Sequence, residues 1–155
     1  ILKAETSESY RRLWTFLVWT GLRRNGALYL DWSRVILAGY PYMRVIGKGD
    51  RERVVPILPP ALEVMGTPKP SGRVFDWPGE RQVTAQFKET ARKAGIPFAR
   101  LHDLRHTCIT WLVGQGVPLK LVQDIAGHAS INTTMNYAKL FTGNAHRVIK
   151  EAFGF

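Results

Sequence analysis

Residues 101–107 read Leu-His-Asp-Leu-Arg-His-Thr, and the mostly apolar run Cys108-Ile109-Thr110-Trp111-Leu112-Val113 follows directly. With no Gly or Pro inside it, this stretch predicts a helix over 101–113, closed by Gly114-Gln115-Gly116. His102 and Arg105 stand three apart and so share one face of that helix, with His106 close to the same face. Two imidazoles and a guanidinium on one side make a cluster of hydrogen-bond donors.

Downstream, Pro118 suits a helix start, and a helix running to about Ala126 is expected. Gly127-His128-Ala129-Ser130 is a turn. Thr133–Leu140 is expected to be helical, and the tail over 144–152 to form another helix, with Val148, Ile149 and Phe153 as an apolar stripe. Upstream, residues 80–94 predict a helix that stops at Gly95, with Pro97 blocking continuation. Thr67–Gly79 is rich in proline and glycine and reads as loop. A short helix is expected over Ala61–Met65. Three β-branched or aromatic runs, Val35–Leu37, Tyr42–Ile46 and Arg53–Ile57, read as a small antiparallel sheet, with Gly47-Lys48-Gly49-Asp50 as a hairpin turn. A first helix, capped at Thr6 or Ser7, carries Tyr10, Leu13, Trp14, Leu17 and Val18 at helical spacing and stops at Gly21. A short second helix is expected over Asn25–Leu30. The sum is α+β: one mainly helical domain over residues 1–155 with a small three-stranded antiparallel sheet.

The charge balance narrows the partner. Twenty-two lysines and arginines face 12 acidic residues, a net charge of +10 in a chain of 155 residues. Such an excess in one compact domain concentrates polyanions around it, which points to nucleic acid. Hydrophobic residues make up 45%, enough for a real core and against general disorder. The single cysteine, Cys108, lies in an apolar run, so a packing role is expected, as is a reducing intracellular compartment. No membrane span or signal peptide is read in the sequence. The chain starts at Ile1 and enters helix-like sequence almost at once. It is read as a fragment of a longer protein, with an upstream domain missing.

The basic residues at element ends are the candidate chemistry. Arg23 follows Gly21-Leu22 at a helix junction, Lys48 tips the expected hairpin, and His128 sits at a turn. With His102 and Arg105 they form a donor set suited to a phosphate. Arginine offers forked hydrogen bonds to phosphate oxygens, and histidine donates or shuttles a proton near neutral pH. Taken singly, each has a plainer reading: a solvated cation, a structural histidine, a packed Tyr137. A zinc site is the other use for His102, His106 and His128. The helix lacks the glutamate of the usual two-histidine zinc motif, and Arg105 on the same face repels a cation.

Taken together, these segments resemble the tyrosine recombinases, the phage integrases and their chromosomal relatives, from about Ser7 to Phe141. The order Arg23, Lys48, His102 with Arg105, His128, Tyr137 is similar to that family's catalytic order. Leu101–Thr107 and Gly127–Ala138 look like its two most recognisable boxes. The resemblance implies site-specific DNA recombination, as in integration, with Tyr137 as nucleophile forming a 3′-phosphotyrosyl link and no metal or cofactor. It implies that Arg23 and Arg105 hold the phosphate oxygens, that His128 donates to the phosphate, that Lys48 protonates the leaving 5′-oxygen, and that His102 assists proton transfer. His106 is expected to support packing. The implied partners are double-stranded DNA and other recombinase subunits assembled on it, with no membrane. The implied location is the cytoplasm of a bacterial or phage-infected cell, at the nucleoid. The tail after Tyr137 is expected either to dock on a neighbouring subunit or to pack on its own domain.

One position departs from the family pattern. An acidic residue usually stands three positions after the first arginine, where this chain has Gly26, and Asp31 is the nearby acid that can substitute. Two rival readings share some of these features. A type IB topoisomerase uses a similar residue set. A pure DNA-binding module, or a decayed recombinase, accounts for a helix-turn-helix over 117–138 but leaves Arg23, Lys48 and Tyr137 without a purpose.

Overall fold

The computed structural model describes residues 1–47 and 52–140. The chain forms two compact units, residues 1–108 and 109–155. The boundary falls within one helix.

The first unit opens with α1 (Glu8–Thr20), which buries Leu13, Trp14, Phe16, Leu17 and Val18. It stops where expected. Gly21 takes the left-handed conformation (φ 63°), and its N–H caps the carbonyl of Leu17. Ahead of α1, the Glu5 carboxylate is buried and takes hydrogen bonds from the Ser7 backbone N–H, the Trp14 indole, the Gln86 amide and the Thr90 hydroxyl. Desolvation works against its charge, but these donors prevail and hold its pKa below the ordinary carboxylate value. One buried acid thus ties the leading residues to two helices. The short α2 (Arg24–Leu28) follows Gly21-Leu22-Arg23.

Strands β1 (Val35–Ile36), β2 (Tyr42–Ile46) and β3 (Glu52–Pro56) make an antiparallel sheet in sequential order. Met43 pairs with Val55, and Val45 with Arg53. The period of two puts Met43, Val45 and Val55 on the buried side, and it puts Arg53 there as well. Helix α3 (Pro59–Glu63) starts two residues earlier than the sequence suggests. Its prolines stand in the first helical turn, where a missing N–H costs nothing. After a long loop, α4 (Glu80–Lys93) buries Val83, Phe87, Thr90 and Ala91. Aromatic packing ties these pieces together: Trp14 meets Phe87 edge-on at 5.2 Å, and Phe16 lies 4.9 Å from Phe75. Each fully buried side chain of this kind contributes about 1.5–3 kcal/mol.

Helix α5 (Asp103–Gly114) contains the boundary between the units. In the second unit, α6 (Leu119–Ala126) ends at Gly127, again left-handed (φ 66°). Helix α7 (Ile131–Ala138) begins two residues before the expected start. The Ser130 side chain caps it by accepting from the Asn132 N–H. This unit has its own small core of Ile109, Val122 and Ala126, against which Leu112, Val113, Val117 and Tyr137 pack. The expected turn at Lys48 and the expected tail helix lie outside the described residues.

Candidate active site

In the first unit, the chain reversal at Gly21 brings α5 to the N-terminus of α2. Arg105 is buried, only 2% exposed, and its Nη1 donates to the Gly21 carbonyl at 2.6 Å. The glycine is needed there twice over. Its φ is positive, and a Cβ would stand 3.1 Å from Cys108 Sγ. Arg23, two residues on, is exposed and caps α2 with extended backbone.

His102 is exposed at the start of the α5 turn, and its ring meets that of His106 edge-on at 4.7 Å. Desolvation, followed by the charges of His106, Arg105 and Arg23, holds the His102 pKa below the ordinary 6.5, with Asp103 pulling the other way. These influences place His102, Arg105 and Arg23 in one electrostatic neighbourhood. Arg23 and His102 both line a cleft of about 870 Å³, whose wall also carries Arg24, Lys88, Arg92 and Arg100. Several of these cations are committed elsewhere: Arg24 binds Glu80 and Thr84, Arg92 binds Glu89, and Arg100 binds Asp103.

Arg53 joins this neighbourhood unannounced by the sequence. Its position on the buried face of β3 desolvates the guanidinium, and the nearby charge of Arg23 adds to this in lowering its pKa. The charge remains, since a guanidinium does not deprotonate in proteins. Two cations held close favour an anion between them. The strand alternation Arg53-Val54-Val55 was the available signal.

Asp31, the acid read as a substitute for one at 26, is engaged at its own turn. Its carboxylate accepts from the Ser33 N–H and hydroxyl and from the Gly72 N–H, which makes it the cap of the turn at 32–34. A Cβ at Gly26 would make only ordinary contacts with Val45 and Leu22. Cys108 is a buried free thiol whose pKa burial pushes up to about 11, as a packing residue requires. Among the described residues, no cluster of His, Cys, Asp and Glu is able to hold a metal. None of the described helices is long and apolar enough to cross a membrane.

In the second unit, His128 and Tyr137 stack with ring centroids 6.3 Å apart and planes within 13°. His128 follows the left-handed Gly127 and is held on both sides of its backbone. Its N–H donates to the Gln123 carbonyl, and its own carbonyl accepts from the Gln123 amide. Its ring Nδ1 lies 2.9 Å from Thr134 Oγ1. Neither Gln123 nor Thr134 was picked out by the sequence reading. Thus Arg23, His102 and Arg105 gather in the first unit, His128 and Tyr137 in the second, and Lys48 lies outside the described residues.

Residues 78–143 match the model of the phage integrase family. The tyrosine recombinase XerC of Rhodospirillum centenum is 35% identical over 141 residues, covering 82% of this chain and 41% of that protein. Among solved structures, the XerH site-specific recombinase bound to its difH substrate superposes with a TM-score of 0.76 at 25% identity, over 96% of this chain and 50% of that one. The catalytic domain of bacteriophage HP1 integrase superposes with a TM-score of 0.69 at 26% identity, over 90% of this chain and 80% of that domain. The chain spans about half the length of the curated relatives it matches, 41% of one and 50% of another. With the sheet, the two histidine-bearing segments and Tyr137 in the family's order, the chain belongs to the tyrosine recombinase, or phage integrase, family, as its catalytic domain.

Proposed function

We propose that this chain cuts and rejoins DNA at specific sites through a covalent bond to Tyr137. The observation that carries the reading is Tyr137 stacked on a firmly held His128, inside the segment that matches the family. The Tyr137 hydroxyl attacks the scissile phosphorus, the bond to the 5′-oxygen breaks, and a 3′-phosphotyrosyl link and a 5′-hydroxyl result. Storing the phosphodiester energy in that link lets rejoining proceed by the reverse attack. Arg23 and Arg105 hold the non-bridging oxygens as negative charge grows on them, and Arg53 adds positive field beside Arg23. His128 donates a further hydrogen bond to the phosphate. Lys48 supplies the proton for the departing 5′-oxygen, and His102, kept neutral by its surroundings, assists proton transfer from the tyrosine. The reaction uses no metal or cofactor.

The partners are double-stranded DNA and further recombinase subunits assembled on it, and the setting is the cytoplasm, at the nucleoid. The relatives named as site-specific recombinases support this reading, as does the net charge of +10. The test is covalent trapping on nicked DNA, read on a denaturing gel. The wild-type chain should give a protein–DNA adduct. Tyr137→Phe should give none while binding DNA nearly as well. An adduct formed by the Phe variant removes Tyr137 as nucleophile.

A further inference from the structure

The structure assigns Thr134 as a positioning residue that sets the tautomer of His128, which extends the reaction proposed above. Three other helical threonines, Thr20, Thr84 and Thr107, donate their hydroxyls to the carbonyl four residues back. This is the ordinary resting place of a threonine hydroxyl in a helix. Thr134 differs. It is completely buried on α7, and among the described residues its hydroxyl has a single hydrogen-bond partner, Nδ1 of His128, at 2.9 Å.

That geometry decides where the protons lie. A buried hydroxyl proton needs an acceptor, because leaving it unpaired forfeits its hydration with no return. Among the described residues Nδ1 is the only acceptor offered, so Thr134 donates to it. Nδ1 of the neutral ring then carries no proton, and Nε2 does. A neutral His128 in that form donates through Nε2, the role the reaction asks of it. The opposite tautomer would turn an acceptor lone pair at Nε2 toward any phosphate there. Gln123 completes the arrangement by gripping the His128 backbone N–H and carbonyl, so that ring rotation and chain position are both fixed.

The experiment has two readouts on the 155-residue chain. Nitrogen NMR of the 15N-labelled histidines, with His128 assigned through His128→Gln, reports which ring nitrogen bears the proton. The expected result is the Nε2–H form in the wild type, loss of that preference in the near-isosteric Thr134→Val, and its retention in Thr134→Ser. Single-turnover cleavage of nicked DNA should slow roughly 10- to 100-fold in Thr134→Val, the range for losing a group that orients another, with DNA affinity unchanged. Thr134→Ser should recover most of the rate. A proton on Nδ1 in the wild type overturns the proposal and needs no variant to fold. So does a Val variant with wild-type tautomer and rate, or a Ser variant as slow as Val. If the wild type shows the Nε2–H form yet never forms an adduct on DNA, the recombinase reading fails and the tautomer assignment stands.

Discussion

At the scale of single residues, the site consists of side chains whose surroundings suit them to different tasks. Arg105 is buried and spends one guanidinium nitrogen on the Gly21 carbonyl, so its planar head is held before any ligand arrives. An arginine restrained in this way loses little freedom when it meets a transition state. Arg105→Ala should therefore slow single-turnover cleavage by about 10²–10³-fold, the usual cost of one transition-state donor, when assayed well below the unfolding temperature. A rate equal to wild type would remove Arg105 from the chemistry. His102 makes a pH prediction. Its desolvation and the neighbouring His106, Arg105 and Arg23 disfavour the imidazolium, so its folded pKa lies below the unfolded value of 6.5. Both states are then neutral well above 6.5, and stability is lost as the pH falls from 6.5 through the lower folded value, because the unfolded state takes up the proton first. Proton NMR of the His102 ring should show a midpoint below 6.5 that rises in Arg23→Gln. A midpoint that stays put in the variant would mean that Arg23 is not close to the ring.

At the scale of elements, glycines at helix ends do the placing. Gly21 ends α1, points Arg23 onward and offers its carbonyl to Arg105. Gly127 ends α6 and presents His128. Gly21→Ala forces a side chain into the left-handed region and sets its Cβ 3.1 Å from Cys108 Sγ. The cost should be about 1–3 kcal/mol in urea denaturation. Adding Cys108→Ala should relieve the contact but leave the backbone strain, so a double-mutant cycle should show favourable coupling between the two changes. Strict additivity would mean that the contact is not felt. The helix and strand positions were largely legible in the sequence, because periods of 3.6 and 2 and the Gly and Pro stops are local signals. The starts of α3 and α7 were not. There, proline in the first turn and the Ser130 cap shift the boundary by two residues without altering the hydrophobic pattern.

At the scale of the whole molecule, the net charge of +10 sets the mode of binding. Affinity for DNA should be mainly electrostatic, with a slope of log K on log salt of about −0.9 for each phosphate neutralised. Between 50 and 200 mM salt, the dissociation constant should weaken roughly 10³-fold or more if six or more phosphates are met. An affinity indifferent to salt, measured by fluorescence anisotropy, would count against a phosphate-tracking surface. The chain packs as two compact units. Length and hydrophobic content bound how much core can form, but not how it divides. The second unit has its own cluster of Ile109, Val122 and Ala126.

The sequence by itself determined the α+β element order, the family, and Arg23, His102, Arg105, His128 and Tyr137 as candidates, because residue type and spacing along the chain carry that information. Only the tertiary structure decided which side chains serve those candidates. Arg53 feels the charge of Arg23 because a strand register turns it inward. Asp31 is taken up by Ser33 and Gly72 because the chain folds back there. Thr134 meets His128 because the left-handed turn at Gly127 and the cap at Ser130 aim a buried hydroxyl at one imidazole nitrogen. Such contacts depend on packing geometry, which has no period to be read along the chain.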